Sequence, residues 1–150
     1  MGISVASALR GCQGRGLYRV MLGFEIIFKR FSARMSIIQI TVQELAARLA
    51  IDRPDDQPAL QLIDVRERDE VEIAAIAGFE ILPLSEYAEW EVSFKEKFDP
   101  HAETLVLCHH GMRSGQMCQW LVNQGFTNVK NIGGGIDAYA YAIEPSMAKY

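Results

Sequence analysis

From position 36 onward, short apolar runs alternate with segments whose apolar residues recur at helical spacing. The runs have the length and composition of buried strands, whereas the segments between them have one apolar face. This alternation predicts an α/β fold, with a central, mostly parallel five-stranded sheet flanked by helices on both faces. The predicted strands are 37–40, 60–64, 80–82, 104–108 and 129–132, and the predicted helices are 42–49, 67–75, 85–98 and 114–124, with a last helix beginning near Ile136.

Capping and turn residues mark the ends of several of these elements. Thr41 and Glu44 have the spacing of a capping box, in which each side chain bonds to the backbone of the other. Ser85 is the predicted N-cap of the helix that ends near position 98. Gly125 follows a helix where a left-handed residue is expected, and the glycine triplet 133–135 predicts a tight turn.

The chain has 150 residues and a net charge of −4, enough for one domain with a substantial core. Residues 1–34 carry six basic residues and one acid, which leaves nine basic and eighteen acidic residues in the remainder. An acidic body lacks the clustered cations that bind phosphate, so we expect no nucleic-acid partner. The apolar stretch 20–28 is too short to span a bilayer, and we expect no membrane partner.

The first 34 residues differ from the rest, being rich in Gly, Ser and Arg and nearly free of acids. Regular patterning begins directly after Met35, which predicts a domain over 35–150 preceded by an N-terminal extension over 1–34. Three interpretations of the extension stay open: a reading frame that starts too early, a mobile tail, or an organelle-targeting leader.

The three cysteines are Cys12, Cys108 and Cys118. Their odd number and wide spacing predict reduced thiols, which favours a cytoplasmic location, although organelle targeting by 1–34 stays open. Their spacing does not resemble a zinc site, and we expect no metal and no other cofactor. Cys118 lies in an apolar helical context that predicts a structural role, with a resolving thiol as the alternative, and Cys12 has no assigned role.

The chemistry is concentrated in the segment that follows the strand 104–108. Cys108 ends this strand, and ligands of open α/β sheets bind beyond the carboxyl ends of strands. The loop that follows is short, and Gly111 allows it to curl so that its N–H groups converge as an anion nest. The next helix N-terminus adds partial positive charge and Arg113 adds a full charge, so thiolate is favoured at Cys108. The candidate substrate-binding residues are His109, His110, Gly111, Met112, Arg113 and Ser114.

This segment resembles the active-site loop of the rhodanese family through Cys108, Gly111, Arg113 and Ser114. Other parts of the chain resemble that family in the same order. They are 62–66 (LIDVR), 76–78 (IAG) followed by 82–84 (LPL), 125–129 (GFTNV) and 133–136 (GGGI). The resemblance spans about 36–143. Departures are Ala75 where many members have His, the absence of the usual glycine between 66 and 78, and Tyr139 in place of a frequent Trp.

The resemblance implies a rhodanese-like fold and transfer of sulfane sulfur through a cysteine persulfide on Cys108, cradled by residues 109–113. It also implies that Asp64 and Arg66 lie beside the loop at the end of a neighbouring strand. Asp64 is expected to hold loop N–H groups, and Arg66 to supply either a field for the substrate or an ion pair. Arg113 is expected to bind an anion, with a loop-to-core salt bridge as the alternative.

Three functions follow from these expectations. The first is an enzyme that moves sulfur from a donor such as thiosulfate to cyanide, a thiol or a protein acceptor. The second is a relay or binding module that receives sulfur from a protein partner, with little turnover of small molecules. The third, a phosphatase or arsenate reductase, is disfavoured because four residues separate Cys108 from Arg113 and the related phosphatases have five. His109 and His110 are either solvated loop residues or part of the rim of the site.

Overall fold

The computed structural model describes residues 36–51 and 59–150. The extension predicted over 1–34 and a polar loop at 52–58 lie outside the described residues. In the described part, no helix is both long and apolar enough to cross a membrane. The strands are β1 (Ile38–Ile40), β2 (Gln61–Asp64), β3 (Glu80–Ile81), β4 (Thr104–Leu107) and β5 (Val129–Ile132); the α-helices are α1 (Val42–Leu49), α2 (Arg68–Ile73), α3 (Tyr87–Lys97), α4 (Met112–Asn123) and α5 (Gly135–Ala142).

The five strands form one sheet in the order β1-β5-β4-β2-β3, and every neighbouring pair is parallel. The predicted parallel sheet is therefore confirmed. Strands β4 and β2 lie side by side, with Leu107 opposite Asp64. The chain leaves both strands at the same edge, which brings the residues after β4 close to those after β2.

Alternate side chains of the central strands enter two apolar clusters, as the pleat of a strand requires. Ile63 and Val106 pack with Phe94 and Leu121, which lie on helices α3 and α4. The other cluster contains Leu105, Leu107 and Ile132, together with residues of α1 and α5. Helices thus cover both faces of the sheet, which confirms the predicted architecture.

The start of α1 has the predicted capping box. The Glu44 amide donates to Thr41 Oγ1 at 3.1 Å, and the Thr41 amide donates to Glu44 Oε2 at 2.8 Å. The prediction for Ser85 was wrong. Ser85 lies inside a 3₁₀ turn over Leu84–Glu86, and its hydroxyl donates to Glu67 Oε2 at 2.5 Å. The carboxylate of Glu67, the N-cap of α2, takes this donor, and α3 begins only after the turn.

Helix α4 begins at Met112, two residues before the predicted start. Gly111 is its N-cap and has a φ of 98°, in the left-handed region that glycine adopts without strain. The left-handed residue turns the chain directly from the loop into the helix. As a result, Arg113 and Ser114 lie in the first turn of α4, where they face the site.

Candidate active site

The thiol of Cys108 lies where β4 ends and accepts two hydrogen bonds from the start of α4. The Gly111 amide donates to Sγ at 3.0 Å, and the Ser114 hydroxyl donates to Sγ at 3.2 Å. Cys108 is only 1% exposed. Donors that converge on a sulfur in this way suit an anionic sulfur better than a neutral thiol. The loop therefore holds the sulfur of Cys108 from one side, through an amide and a hydroxyl.

The backbone of this loop is fixed by the elements that follow β5. The amide of Ile136 donates to the carbonyl of Cys108 at 2.9 Å, and the amide of Asp137 donates to the carbonyl of His109 at 3.2 Å. The side chain of Asn131, on β5, donates to the carbonyl of Gly111 at 2.9 Å. The loop is thus anchored to α5 at Cys108 and His109, and to β5 at Gly111.

The glycine triplet 133–135 forms the predicted tight turn, and it also allows the Cys108 loop to pack closely against α5. Gly134 and Gly135 have φ values of 78° and 60°. A Cβ on Gly135 would lie 2.3 Å from the carbonyl oxygen of Cys108 and 2.2 Å from that of His109. No side chain fits at that distance, so the absence of a Cβ allows α5 to approach the loop.

Arg66 is fully buried at the end of β2, and its guanidinium is saturated with acceptors. Nε and Nη2 bond to the Asp64 carboxylate at 3.0 Å and 2.6 Å, and Nη1 donates to the carbonyl of Ala74 at 3.0 Å. Burial alone would lower the pKa of Arg66, but the hydrogen bonds to Asp64 and Tyr150 raise it above its usual value. Of the two roles expected for Arg66, the structure shows the ion pair, which Arg66 forms with Asp64.

The Asp64 carboxylate therefore has the expected structural role, but among the described residues its hydrogen bonds go to Arg66 and not to the amides of the Cys108 loop. Its Oδ1 also accepts from the Arg66 amide at 3.0 Å, which closes a local turn. Residues two apart after a strand can form this bidentate pair without any long-range contact. That local partner explains why the carboxylate bonds to the residue two positions later in its own turn.

Arg113 forms a two-fold ion pair with Glu70, with both N–O distances at 2.6 Å. The pair ties the first turn of α4 to α2, so a loop-to-core salt bridge is present. The hydrogen bonds from Arg113 lower the pKa of Glu70 to about 2. The same bonds raise the pKa of Arg113, and the charge of Cys108 raises it further. Each arginine of the site is thus matched by a carboxylate.

The rim of the site contains a stack of three aromatic rings. His109 stacks on Tyr150 with centroids 4.3 Å apart and on His110 with centroids 3.9 Å apart. At the far end, His110 Nδ1 lies 3.8 Å from the Asp137 carboxylate. Burial lowers the pKa of His109, and the neighbouring His110 lowers it further. A neutral imidazole is therefore the stable form of His109 in the stack at neutral pH.

His109, His110 and Asp137 are also the one group in the described residues whose ligand atoms could surround a metal, all within 4.8 Å of one another. The two imidazoles lie nearly parallel, at 23°. Parallel rings direct their nitrogen lone pairs into separate planes, whereas a tetrahedral ion needs them to converge. The stack fits a metal poorly.

The predicted site residues have different surroundings. Gly111 and Ser114 contact the sulfur, whereas Met112 is 79% exposed and faces solvent. Sequence reasoning missed Glu70, Asn131 and Tyr150. The sequence contained a signal for Asn131, because this polar residue occupies a position in a predicted buried strand. The sequence contained no such signal for Glu70 or Tyr150. Their partners, Arg113 and Arg66, are 43 and 84 positions away in the sequence.

Comparisons with known proteins agree with this architecture. A family model described as Rhodanese-like domain matches residues 41–142. The chain is 39% identical over 132 residues to the Rhodanese-like/PpiC domain-containing protein 12, chloroplastic, of Arabidopsis thaliana. That match covers 88% of this chain and 43% of the Arabidopsis protein, so this chain spans less than half of that relative.

A second relative and a solved structure cover mainly the same domain. The thiosulfate sulfurtransferase GlpE of Vibrio cholerae is 32% identical over 94 residues, which is 62% of this chain and 84% of that protein. The crystal structure of a rhodanese-related protein from Thermoplasma volcanium superposes with a TM-score of 0.56 at 26% identity, over 72% of this chain and 95% of the other. With the fold, the Cys108 loop and these matches in agreement, this chain belongs to the rhodanese-like domain family.

Proposed function

We propose that the domain is a sulfurtransferase that carries sulfane sulfur as a persulfide on Cys108. The single observation that carries the proposal is the convergence of the Gly111 amide and the Ser114 hydroxyl on Sγ, at 3.0 Å and 3.2 Å. Two donors from a helix N-terminus support a sulfur that alternates between thiolate and persulfide. Membership of the family and the similarity to a thiosulfate sulfurtransferase support the same chemistry.

In the first step, the Cys108 thiolate attacks the outer sulfur of a donor such as thiosulfate. A bond forms between Sγ and that sulfur while the sulfur–sulfur bond of the donor breaks. Sulfite leaves with the bonding electron pair, and the cysteine becomes a persulfide. The donors at Gly111 and Ser114 stabilise the starting thiolate and remain in place for the anionic form of the persulfide.

In the second step, an acceptor such as cyanide, a thiolate or a protein thiol attacks the terminal sulfur of the persulfide. The bond between the two sulfurs breaks, and Cys108 leaves as a thiolate. The same two donors stabilise the charge that returns to Sγ, because they already point at it. The cycle needs no metal, nucleotide or redox cofactor.

A relay that receives sulfur from a protein partner is the second candidate, and the charge balance of the site supports it. Arg66 and Arg113 each bond to a carboxylate, Asp64 and Glu70, so the four groups carry no net charge. A small dianion such as thiosulfate gains little from such a site. A partner that binds the surface of the domain does not depend on this attraction, so the relay predicts slow turnover of thiosulfate.

The compartment of the reaction is part of the proposal. Reduced thiols at Cys108 and Cys118 fit a reducing compartment such as the cytoplasm. Residues 1–34 have the composition of an organelle leader, and the Arabidopsis relative is described as chloroplastic. Fusion of residues 1–34 to a fluorescent protein tests for targeting: import into an organelle would favour a leader over a reading frame that starts too early.

The decisive experiment is the intact mass of the full chain after brief exposure to thiosulfate, compared with Cys108→Ser. We expect a gain of about 32 Da, one sulfur atom, on the wild type alone, with release of thiocyanate when cyanide is added. A gain only with an organic persulfide as donor would favour the relay. A wild type that gains no sulfur from either donor would contradict the proposal, and Cys118→Ala serves as the matched control.

A further inference from the structure

The segment after α5 returns to the candidate site and contacts it through the side chain of Tyr150. The hydroxyl of Tyr150 accepts a hydrogen bond from Arg66 Nη1 at 2.8 Å and lies 3.5 Å from Glu70 Oε1. The ring of Tyr150 stacks on His109 at an angle of 13°. Tyr150 thus connects the Cys108 loop with the ion pairs at the end of β2, although it is 38% exposed itself.

The other boundaries of the site are held more firmly. The loop carbonyls of Cys108 and His109 accept backbone amides from α5, and Gly111 is anchored by Asn131. Arg66 is completely buried. By contrast, residues 144–150 are mainly exposed and are tied down by a few contacts. Segments with few buried contacts open at the lowest free energy. Tyr150 is therefore the part of this rim that opens most readily.

Access to the nucleophile requires such an opening. Cys108 is 1% exposed, so a bulky acceptor can reach its sulfur only when the rim opens. The Arg113–Glu70 pair closes the side toward α2, with two N–O distances of 2.6 Å. The Tyr150 ring covers one face of His109, the residue next to the nucleophile.

We propose that Tyr150 is a specificity-determining residue that selects acceptors by size, because its ring and hydroxyl latch the C-terminal segment across the rim beside Cys108. The inference rests on the proposed function for its biological meaning. With the latch closed, small ions and slender thiols reach the sulfur. With it released, bulky acceptors also reach it.

Alkylation of the Cys108 thiol tests the latch without any sulfur transfer. Iodoacetamide is the small probe and fluorescein-5-maleimide the bulky one, and peptide mass spectrometry reads modification at Cys108 itself. We expect Tyr150→Ala to raise the rate with the bulky probe about tenfold, as one hydrogen bond and one stacked pair no longer hold the closed state. The rate with the small probe should change less than about twofold.

Tyr150→Phe keeps the ring on His109 and removes only the hydroxyl, so it should raise the bulky-probe rate by about threefold. Tyr141→Ala is the matched control, because Tyr141 is 65% exposed and its ring faces Lys149 of the same segment. The ratio of the two rates carries the test, since a general loosening of the fold raises both. Equal acceleration of both probes in Tyr150→Ala, or the same ratio in Tyr141→Ala, would overturn the latch.

Discharge of the persulfide then tests the acceptors themselves. Protein loaded with sulfur is mixed with cyanide or with glutathione, and the loss of 32 Da, one sulfur, is followed by mass. Tyr150→Ala should speed discharge to glutathione several-fold more than discharge to cyanide. If no persulfide forms, the proposed function fails while the alkylation ratio still decides the latch. If persulfide forms and the ratio for acceptors is unchanged, the latch fails alone.

Discussion

The two sides of the candidate site are held by different kinds of contact, one mainly by the backbone and the other by side chains. On the side of α5, the Cys108 loop is held by backbone amides and by a glycine that admits no side chain. On the side of β2, side chains hold the site: Arg66 with Asp64, and Arg113 with Glu70. The backbone side fixes where the sulfur lies. The side-chain side can be altered one residue at a time, and it is where substrate preference can vary within one fold.

The first test of this comparison is Gly135→Ala, which attacks the backbone side. Its new Cβ would lie 2.2 Å from the carbonyl oxygen of His109, so either the loop or α5 must move. We expect the free energy of unfolding to fall by about 4 kcal/mol. We also expect persulfide formation to be lost. Denaturant unfolding, together with mass analysis after thiosulfate, measures both.

The matched control is Gly125→Ala. Gly125 also has a positive φ, 97°, but its Cβ would meet nothing within 4 Å. Gly125→Ala should lower the free energy of unfolding by only about 1 kcal/mol, through backbone strain, and leave sulfur loading intact. If both variants lost the same stability, the contact with the loop would not be the reason for glycine at 135.

The backbone side is also the side that the sequence predicts well. The order of strands and helices follows from apolar spacing, and Thr41 with Glu44 forms the expected capping box. Cys108 at a strand end, followed by Gly111, predicts a curled loop because both the strand end and the left-handed turn are local features. The glycine triplet 133–135 predicts a turn for the same reason, since turn geometry is also local.

The side-chain side could not be predicted in the same way. The pairing of Arg113 with Glu70 depends on how α2 packs beside α4, which no periodicity encodes. Tyr150 reaches Arg66 across 84 positions. Even the local prediction for Ser85 was wrong, because Glu67 from another element competes for its hydroxyl. Partners chosen across the fold decide these contacts, so a single sequence gives candidates without their pairing.

Asp64→Asn tests the buried part of the side-chain side. The substitution leaves the guanidinium of Arg66 buried without its counter-charge, and Arg66 is 0% exposed. Breaking one partner of a buried pair costs about 3 kcal/mol. Thermal or denaturant unfolding should show this loss, with sulfur loading reduced in proportion to the folded fraction.

Asp137→Asn is the control for that substitution, since Asp137 lies 3.8 Å from an exposed histidine and its side chain is 31% exposed. It should change stability by less than about 0.5 kcal/mol. Similar losses in the two variants would mean that burial of the Arg66 pair does not set the cost.

Glu70→Gln tests the more exposed pair and gives a pH signature. The pKa of Glu70 is about 2 in the folded chain against a usual value of 4.5. Such a lowered pKa contributes stability that is fully present above about pH 4.5 and is lost as the pH falls toward 2. We expect Glu70→Gln to lower stability at pH 7 by about 1–2 kcal/mol, because solvent screens this pair in part, and to remove that acid-dependent loss.

The comparison for Glu70→Gln is Glu86→Gln, whose carboxylate pairs with Arg68 at the surface. Unfolding free energies of both variants and the wild type between pH 2 and pH 7 separate the two cases. The Glu86 variant should retain most of the acid-dependent loss. A Glu70 variant with the pH profile of the wild type would show that another group controls acid stability.

Glu70→Gln should also raise kcat/KM for thiosulfate by a fewfold, because it removes the negative charge that pairs with Arg113.

The smallest effect is expected from Cys118→Ala, which separates a structural thiol from a resolving one. Cys118 is 0% exposed in the cluster that contains Phe94 and Leu121. Burial and, to a smaller extent, the nearby charge of Cys108 raise the pKa of Cys118 to about 12, so the thiol stays protonated at neutral pH. A protonated, buried thiol is a poor nucleophile toward a persulfide.

We expect Cys118→Ala to keep the rates of sulfur loading and discharge and to lose about 1 kcal/mol of stability from the smaller side chain. Formation of a Cys108–Cys118 disulfide in the wild type after sulfur loading, detected by peptide mass mapping, would assign Cys118 a resolving role instead.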